Sequence, residues 1–87
     1  MLQLDGAAPL SLADLAAGDA GVLERLDLAA GDARRLMELG FLPGASVRAG
    51  RSAPGGDPRV FQVDGSEIAL RRETAVRIRI RGESHRP

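Results

Sequence analysis

Arg34-Arg35-Leu36-Met37-Glu38-Leu39-Gly40-Phe41-Leu42-Pro43-Gly44 carries a helix into a strand within one corner. Ala33, Leu36, Met37 and Leu39 recur with a helical period, and Asp32, Arg34, Arg35 and Glu38 fill the other side. The helix is predicted over about Ala30–Leu39, packing on Ala33, Leu36 and Met37. Gly31 near its start weakens its intrinsic propensity by about 1 kcal/mol, so it leans on that packing. Gly40 follows where a left-handed closing residue is expected and the missing Cβ removes the steric cost. Phe41 can then fold back on the last turn. Pro43 and Gly44 suit the central positions of a type II turn, Pro fixing a negative φ and Gly supplying a positive one.

Downstream of this corner the chain alternates short strands and turns. Ser46–Ser52 reads as a strand. Ala53-Pro54-Gly55-Gly56-Asp57-Pro58 is a loop, because Pro lacks a ladder donor and Gly weakens a strand. Arg59–Val63 is the next strand, with Phe61 and Val63 on one side. Asp64-Gly65 is a strong two-residue hairpin signal, followed by Ser66–Leu70 with Ile68 and Leu70 inward. Arg71–Ala75 is too polar for core and reads as a bend or a short helical turn. Val76–Arg81 alternates, with Val76, Ile78 and Ile80 inward and Arg77, Arg79 and Arg81 outward.

Upstream, Ala20–Leu26 reads as the first strand, with Val22 and Leu26 on one face and Leu23 on the other. Ser11-Leu12-Ala13-Asp14 has the form of a capping box opening a short helical turn over Leu12–Ala17. Residues 1–9 are a lead-in, 10–81 form the domain, and 82–87 are expected to be a disordered tail. Short strands with one inserted helix cannot form a parallel α/β sheet, which needs a crossover between strands. The expected fold is mainly β: a small, bent antiparallel barrel of about five strands with one helix.

The 87 residues allow one domain. Phe41 and Phe61 are its two aromatics, so Leu, Val, Ile, Ala and Met must supply most of the core. Twelve basic residues, all Arg, balance twelve acidic ones. A neutral chain has no global attraction to nucleic acid or anionic membrane. The absence of Cys excludes disulfides and thiolate chemistry. The longest run without charge, Leu39–Val47, is far shorter than the roughly 20 residues that span a bilayer. We therefore expect a soluble, cytoplasmic protein without direct membrane insertion.

In this arrangement the chain resembles the ferrous iron transport protein A (FeoA) family. The resemblance rests on Arg35–Gly44, the Ala53–Pro58 loop, Ile68-Ala69-Leu70-Arg71 and the Ala75–Ile80 stretch, in that order and spacing. One departure is Gly55, where the family's loop has a larger residue. The resemblance implies an SH3-like barrel that acts as a cytoplasmic accessory to a membrane ferrous iron permease carrying a GTPase domain (FeoB). The same domain type ends some metal-dependent repressors, but this chain has no room for their helix-turn-helix part. The resemblance leaves self-association into a homo-oligomer open.

No catalytic constellation is visible, since the lone His85 lies near the end of the chain and Asp57, Asp64 and Glu67 fall in turn regions. No cluster of metal ligands is present either, and no cofactor is expected. Gly55-Gly56 leads into Asp57-Pro58 and a strand rather than a helix, so it is no phosphate cradle. Arg77, Arg79 and Arg81, with Arg71 and Arg72 nearby, could form a strip for nucleic acid. Such strips interleave aromatics, and none follows Phe61, so nucleic acid is not expected. A small-barrel regulatory or nucleic-acid module using that strip is the alternative reading, and an Arg acting in trans on GTP hydrolysis is a third. For a protein partner, the candidate docking edge is Arg35, Glu38, Phe41, Leu42 and Pro43, held by structural turns at Gly40, Gly44, Asp64 and Gly65.

Overall fold

In the computed structural model, which describes residues 10–82, the chain forms one antiparallel sheet of six strands. They are β1 (Leu10–Ser11), β2 (Ala20–Leu26), β3 (Ser46–Ser52), β4 (Arg59–Val63), β5 (Ser66–Leu70) and β6 (Ile78–Gly82), in the spatial order β1-β6-β2-β3-β4-β5. Helix α1 (Ala30–Glu38) lies between β2 and β3, and a one-turn helix, α2 (Arg72–Ala75), between β5 and β6. The lead-in 1–9 and residues 83–87 of the expected tail lie outside the described residues. Gly82, assigned to that tail, belongs to β6.

One face of the sheet is dry. Leu23, Val47, Ala49, Phe61, Val63, Ile78 and Ile80 bury on it, with Leu12, Leu36, Phe41, Leu70 and Ala75 closing the core. Both Phe side chains are fully enclosed. Burying each ring contributes on the order of 2 kcal/mol.

Two register shifts shape this sheet. Leu23 pairs with Ile80, Arg25 with Arg79 and Leu26 with Ile78. Two residues of β2, Glu24 and Arg25, thus occupy the space of one, which is a β-bulge. The bulge corrects the expected alternation: Leu23 and Leu26 stand opposite Ile80 and Ile78 and share the core side, instead of facing apart. The second shift falls between Ala49 and Ser52 on β3. Gly50 lies there, and a Cβ on it would come within 3.2 Å of the Val60 carbonyl oxygen. A bulge kinks and twists a strand, so these two shifts bend a ladder that would otherwise run flat.

The turns explain the strand limits. Asp64 (φ +51°) and Gly65 (φ +81°) both take the left-handed conformation of a type I′ hairpin, and Val63 pairs with Ser66 across it. Ser11 accepts a hydrogen bond from the Ala13 N–H while Asp14 accepts from the Ser11 N–H at 2.9 Å. That is the expected capping box, though it opens a single 3₁₀ turn over Leu12–Asp14 rather than a helix to Ala17.

Three further expectations are corrected. β1 was unforeseen, because a two-residue strand has no period; it is defined by pairing with Ile80 and Arg79. Val76 is exposed and closes α2, so β6 begins at Ile78. Ala75, set aside as too polar a neighbourhood for core, is buried.

Candidate functional site

The corner after α1 is built almost wholly from backbone hydrogen bonds. Helix α1 closes at Leu39, and Gly40 follows with φ +108°. The Gly40 N–H donates to the Met37 carbonyl at 3.0 Å and the Phe41 N–H to the Leu36 carbonyl at 3.0 Å. This pair of bonds is the Schellman closure, and it satisfies two carbonyls that a helix end otherwise leaves bare. It also turns Phe41 back beneath the helix, beside Leu36 in the core.

The next turn is pinned to the sheet. The Ala45 N–H donates to the Leu42 carbonyl at 2.9 Å across Pro43 and Gly44, with Gly44 at φ +94°. Gly44 N–H donates to the Leu23 carbonyl at 2.7 Å, and Leu23 N–H returns the bond to Ala45 at 2.8 Å. The corner is therefore a fixed extension of β2.

Of the five residues assigned to the docking edge, Arg35, Glu38, Leu42 and Pro43 are exposed. Phe41 is fully buried and cannot touch a partner; its role is to anchor the corner from below. Leu42 is 49% exposed, and Leu39 and Met37 at the end of the helix are exposed as well. Met37 was expected in the core, yet the sheet covers only the arc of α1 that carries Leu36, with Ala33 half-buried beside it. Sequence reading missed Met37 and Leu39 as surface residues, since a helical period fixes which residues share a face but not how much of it is covered. Arg35 also lines a groove of about 260 Å3 between α1 and β5, with Leu28, Asp32, Leu36, Ile68, Leu70 and Thr74.

The arginine row is differently made. Arg79 pairs with Asp27 at 3.3 Å, and Arg25 reaches the same carboxylate at 2.9 Å. Arg81 pairs with Glu24 at 3.5 Å. The hydrogen bond from Arg25, joined by that from Arg79, holds the Asp27 carboxyl below its ordinary range, against a smaller opposing effect of lost hydration. Arg77 lies outside β6, in the turn after α2. Elsewhere, Arg48 donates to the Gly18 carbonyl at 2.6 Å, and Arg59 donates to the Leu15 carbonyl at 2.6 Å while standing 5.9 Å from the Phe61 ring centre. Asp57, weighed as an acid, accepts the Arg72 N–H at 2.8 Å and so ties the 53–58 loop to α2. Among the described residues no group of three or more His, Asp or Glu side chains converges as metal ligands do; His85 lies outside them. No helix among them is long and apolar enough to cross a membrane.

Residues 10–82 match the family model of the FeoA domain. The chain is 30% identical over 71 residues to the Fe(2+) transport protein A/Fe(2+) transporter FeoB fusion protein of Porphyromonas gingivalis. That match covers 82% of this chain and 8% of the fusion protein's length. The solution structure of the FeoA protein from Chlorobium tepidum superposes with a TM-score of 0.82 at 32% identity, over 86% of this chain and 71% of that one. The zinc-complexed FeoA of Stenotrophomonas maltophilia, described as a procaryotic SH3 domain protein, superposes with a TM-score of 0.70 at 39% identity, over 82% of this chain and 88% of that one. The bent six-stranded sheet is thus an SH3-like fold. The match runs from β1 to the last residue of β6 and takes in the Gly40–Gly44 corner and the bulged sheet, and over that span the chain belongs to the FeoA domain family.

Proposed function

We propose that this domain is a non-catalytic protein-binding module of bacterial ferrous iron uptake, acting from the cytoplasm on the GTPase-bearing part of an FeoB-type permease. The observation that carries this reading is the Porphyromonas gingivalis fusion, in which a similar domain shares one chain with an Fe(2+) transporter. Covalent linkage holds two modules at a millimolar-scale effective concentration, so a fusion is a natural arrangement for domains that work in contact.

The contact surface in this reading is the corner. Interface cores are depleted of charge and enriched in apolar anchors. Leu42 is such an anchor, fixed beside a turn that is already bonded to β2, so little ordering is lost on docking. Pro43 and Glu38 flank it, and Met37 and Leu39 extend the apolar surface. Arg25, Arg79 and Arg81 are poorer anchors for a partner or for a nucleic acid, because each is already engaged in an ion pair, Arg25 and Arg79 sharing Asp27 and Arg81 facing Glu24.

The test is a calorimetric titration of the soluble part of an FeoB-type permease, with circular dichroism on each variant. Leu42→Glu is expected to keep its fold and lose about 2 kcal/mol or more of binding, the scale of a hot spot. Arg79→Ala should bind almost normally. Normal binding by Leu42→Glu with failure of Arg79→Ala would move the working surface to β6. Binding to single-stranded nucleic acid that weakens steeply with salt would instead support the regulatory alternative.

A further inference from the structure

Among the described residues the sheet has two edges, β1 with two residues and β5 with five. The β4–β5 ladder runs from Arg59↔Leu70 to Val63↔Ser66 without a shift. β5 itself carries no Pro, no Lys or Arg and no bulge, the usual devices that keep a foreign strand off an edge. Its one charge is Glu67, which is exposed and accepts a hydrogen bond from Gln62 at 2.8 Å.

The hairpin fixes which groups of β5 are free. Beside a two-residue turn, the flanking residues Val63 and Ser66 form a hydrogen-bonded pair, and bonded and non-bonded pairs then alternate. Ser66, Ile68 and Leu70 therefore direct their N–H and C=O groups to β4. Glu67 and Ala69 direct theirs to the open side, where no other described backbone group reaches them. Ile68 is half-buried and Leu70 buried on the core side of the strand, and both line the groove with Leu28 and Leu36 from the α1 side. Asp32, Arg35 and Thr74 complete the lining, so the free backbone edge lies next to a groove with an apolar floor and a polar margin.

We propose that β5 is a strand-addition site for an extended peptide segment of a partner protein. The segment bonds to the main chain of Glu67 and Ala69. Two of its residues, at alternate positions opposite Ile68 and Leu70, are apolar and enter the groove toward Leu28 and Leu36. The residue opposite Glu67 lies on the other face and is basic, since opposite charges across a ladder attract and like charges repel. A second copy of this chain fits less well. Antiparallel pairing of β5 with itself about Ile68 offers one apolar side chain to the groove, and it places the two Glu67 carboxylates diagonally on one face. The groove shares Arg35 with the assigned docking edge but includes none of Met37, Leu39, Leu42 and Pro43, so a test read at the Glu67 and Ala69 amides is distinguishable from the test of the permease reading.

The probe is a blocked synthetic octapeptide with two valines at alternate positions and an arginine next to one of them, on a serine background. Amide hydrogen exchange of the 15N-labelled domain is followed with and without it. The Glu67 and Ala69 amides are expected to slow at least tenfold on addition of millimolar peptide, while Ser66, Ile68 and Leu70, already bonded to β4, change little. Methylating the peptide's pairing nitrogens should remove the effect. With Glu67→Lys, a peptide bearing glutamate in place of arginine should become the better binder. Three results would overturn the proposal: no change at Glu67 and Ala69 at millimolar peptide, changes confined to the Gly40–Gly44 corner, or protection that grows with protein concentration and needs no peptide, which would make the occupant a second copy.

Discussion

The corner after α1 and the arginine row on β6 were both conspicuous in the sequence, and they are built in opposite ways. The corner is held by main-chain hydrogen bonds and one buried ring, which leaves its side chains Leu39, Leu42 and Pro43 unengaged. The row is held by its own side chains, since Arg79 and Arg81 are spent on Asp27 and Glu24. A surface organised by backbone can present side chains to something else; a surface organised by side chains has already used them. The contrast predicts large effects at the corner's internal supports and small ones along the row.

Phe41→Ala should have the largest effect. It empties a fully enclosed aromatic site and is expected to cost about 3–5 kcal/mol, read as a lower urea midpoint. An unchanged midpoint would mean the corner is not anchored through its ring. Gly40→Ala should cost about 1–3 kcal/mol. A Cβ there finds ordinary contacts, 3.6 Å from the Asp64 Cβ, so the loss comes from the backbone at φ +108° rather than from crowding. Equal midpoints for wild type and Gly40→Ala would show that the Schellman closure tolerates a side chain. Leu42→Ala trims a half-exposed side chain and should move stability by no more than about 0.5 kcal/mol, so that a binding defect in it is separable from folding.

Asp27→Asn should have the smallest effect on stability, and it sharpens the comparison through pH. The folded carboxyl titrates below its ordinary value of 3.8. Its contribution is therefore present in full above that value and fades as pH falls through the folded pKa. Thermal melts of wild type and Asp27→Asn should differ slightly at pH 6 and converge in the most acidic range where the fold survives. The difference should also shrink in high salt, because the pair is exposed. A gap that widened on acidification would show that Arg25 and Arg79 do not stabilise the ionised form.

What could be read from the sequence follows the range of the forces involved. Ser46–Ser52, Arg59–Val63 and Ser66–Leu70 were readable to the residue because Pro43-Gly44, the 53–58 loop and Asp64-Gly65 are local devices whose φ demands are written in residue type. Gly40 and Phe41 were readable for the same reason. The inward turn of Leu26 was not, because the bulge at Glu24 and Arg25 is imposed by pairing with β6, far along the chain. Val76 looked like the first inward residue of β6, yet α2 and its closure take that position. At the candidate site, residue types alone gave the turn and its neighbours. The exposure of Met37 and Leu39, the groove that Arg35 shares with β5 and the pairing of Arg79 with Asp27 all depend on elements that meet only in three dimensions.

The place of β6 in the sheet sets the order in which this domain can come into being. The last of the described strands lies between β1 and β2, and it pairs Leu10 with Ile80 and Gly21 with Gly82. Until residues 78–82 leave the ribosome, β2 has only β3 beside it, and Leu12 and Leu23 lack Ile78 and Ile80 as core partners. The β3–β4–β5 meander can pair during translation, but the core closes in one step at the end of the domain. Folds dominated by such distant pairings close slowly, in roughly milliseconds to seconds, and through that interval the unfinished chain exposes β-branched and aromatic side chains to other chains. A premature stop at Ile78 would therefore leave an aggregation-prone fragment rather than a smaller working domain.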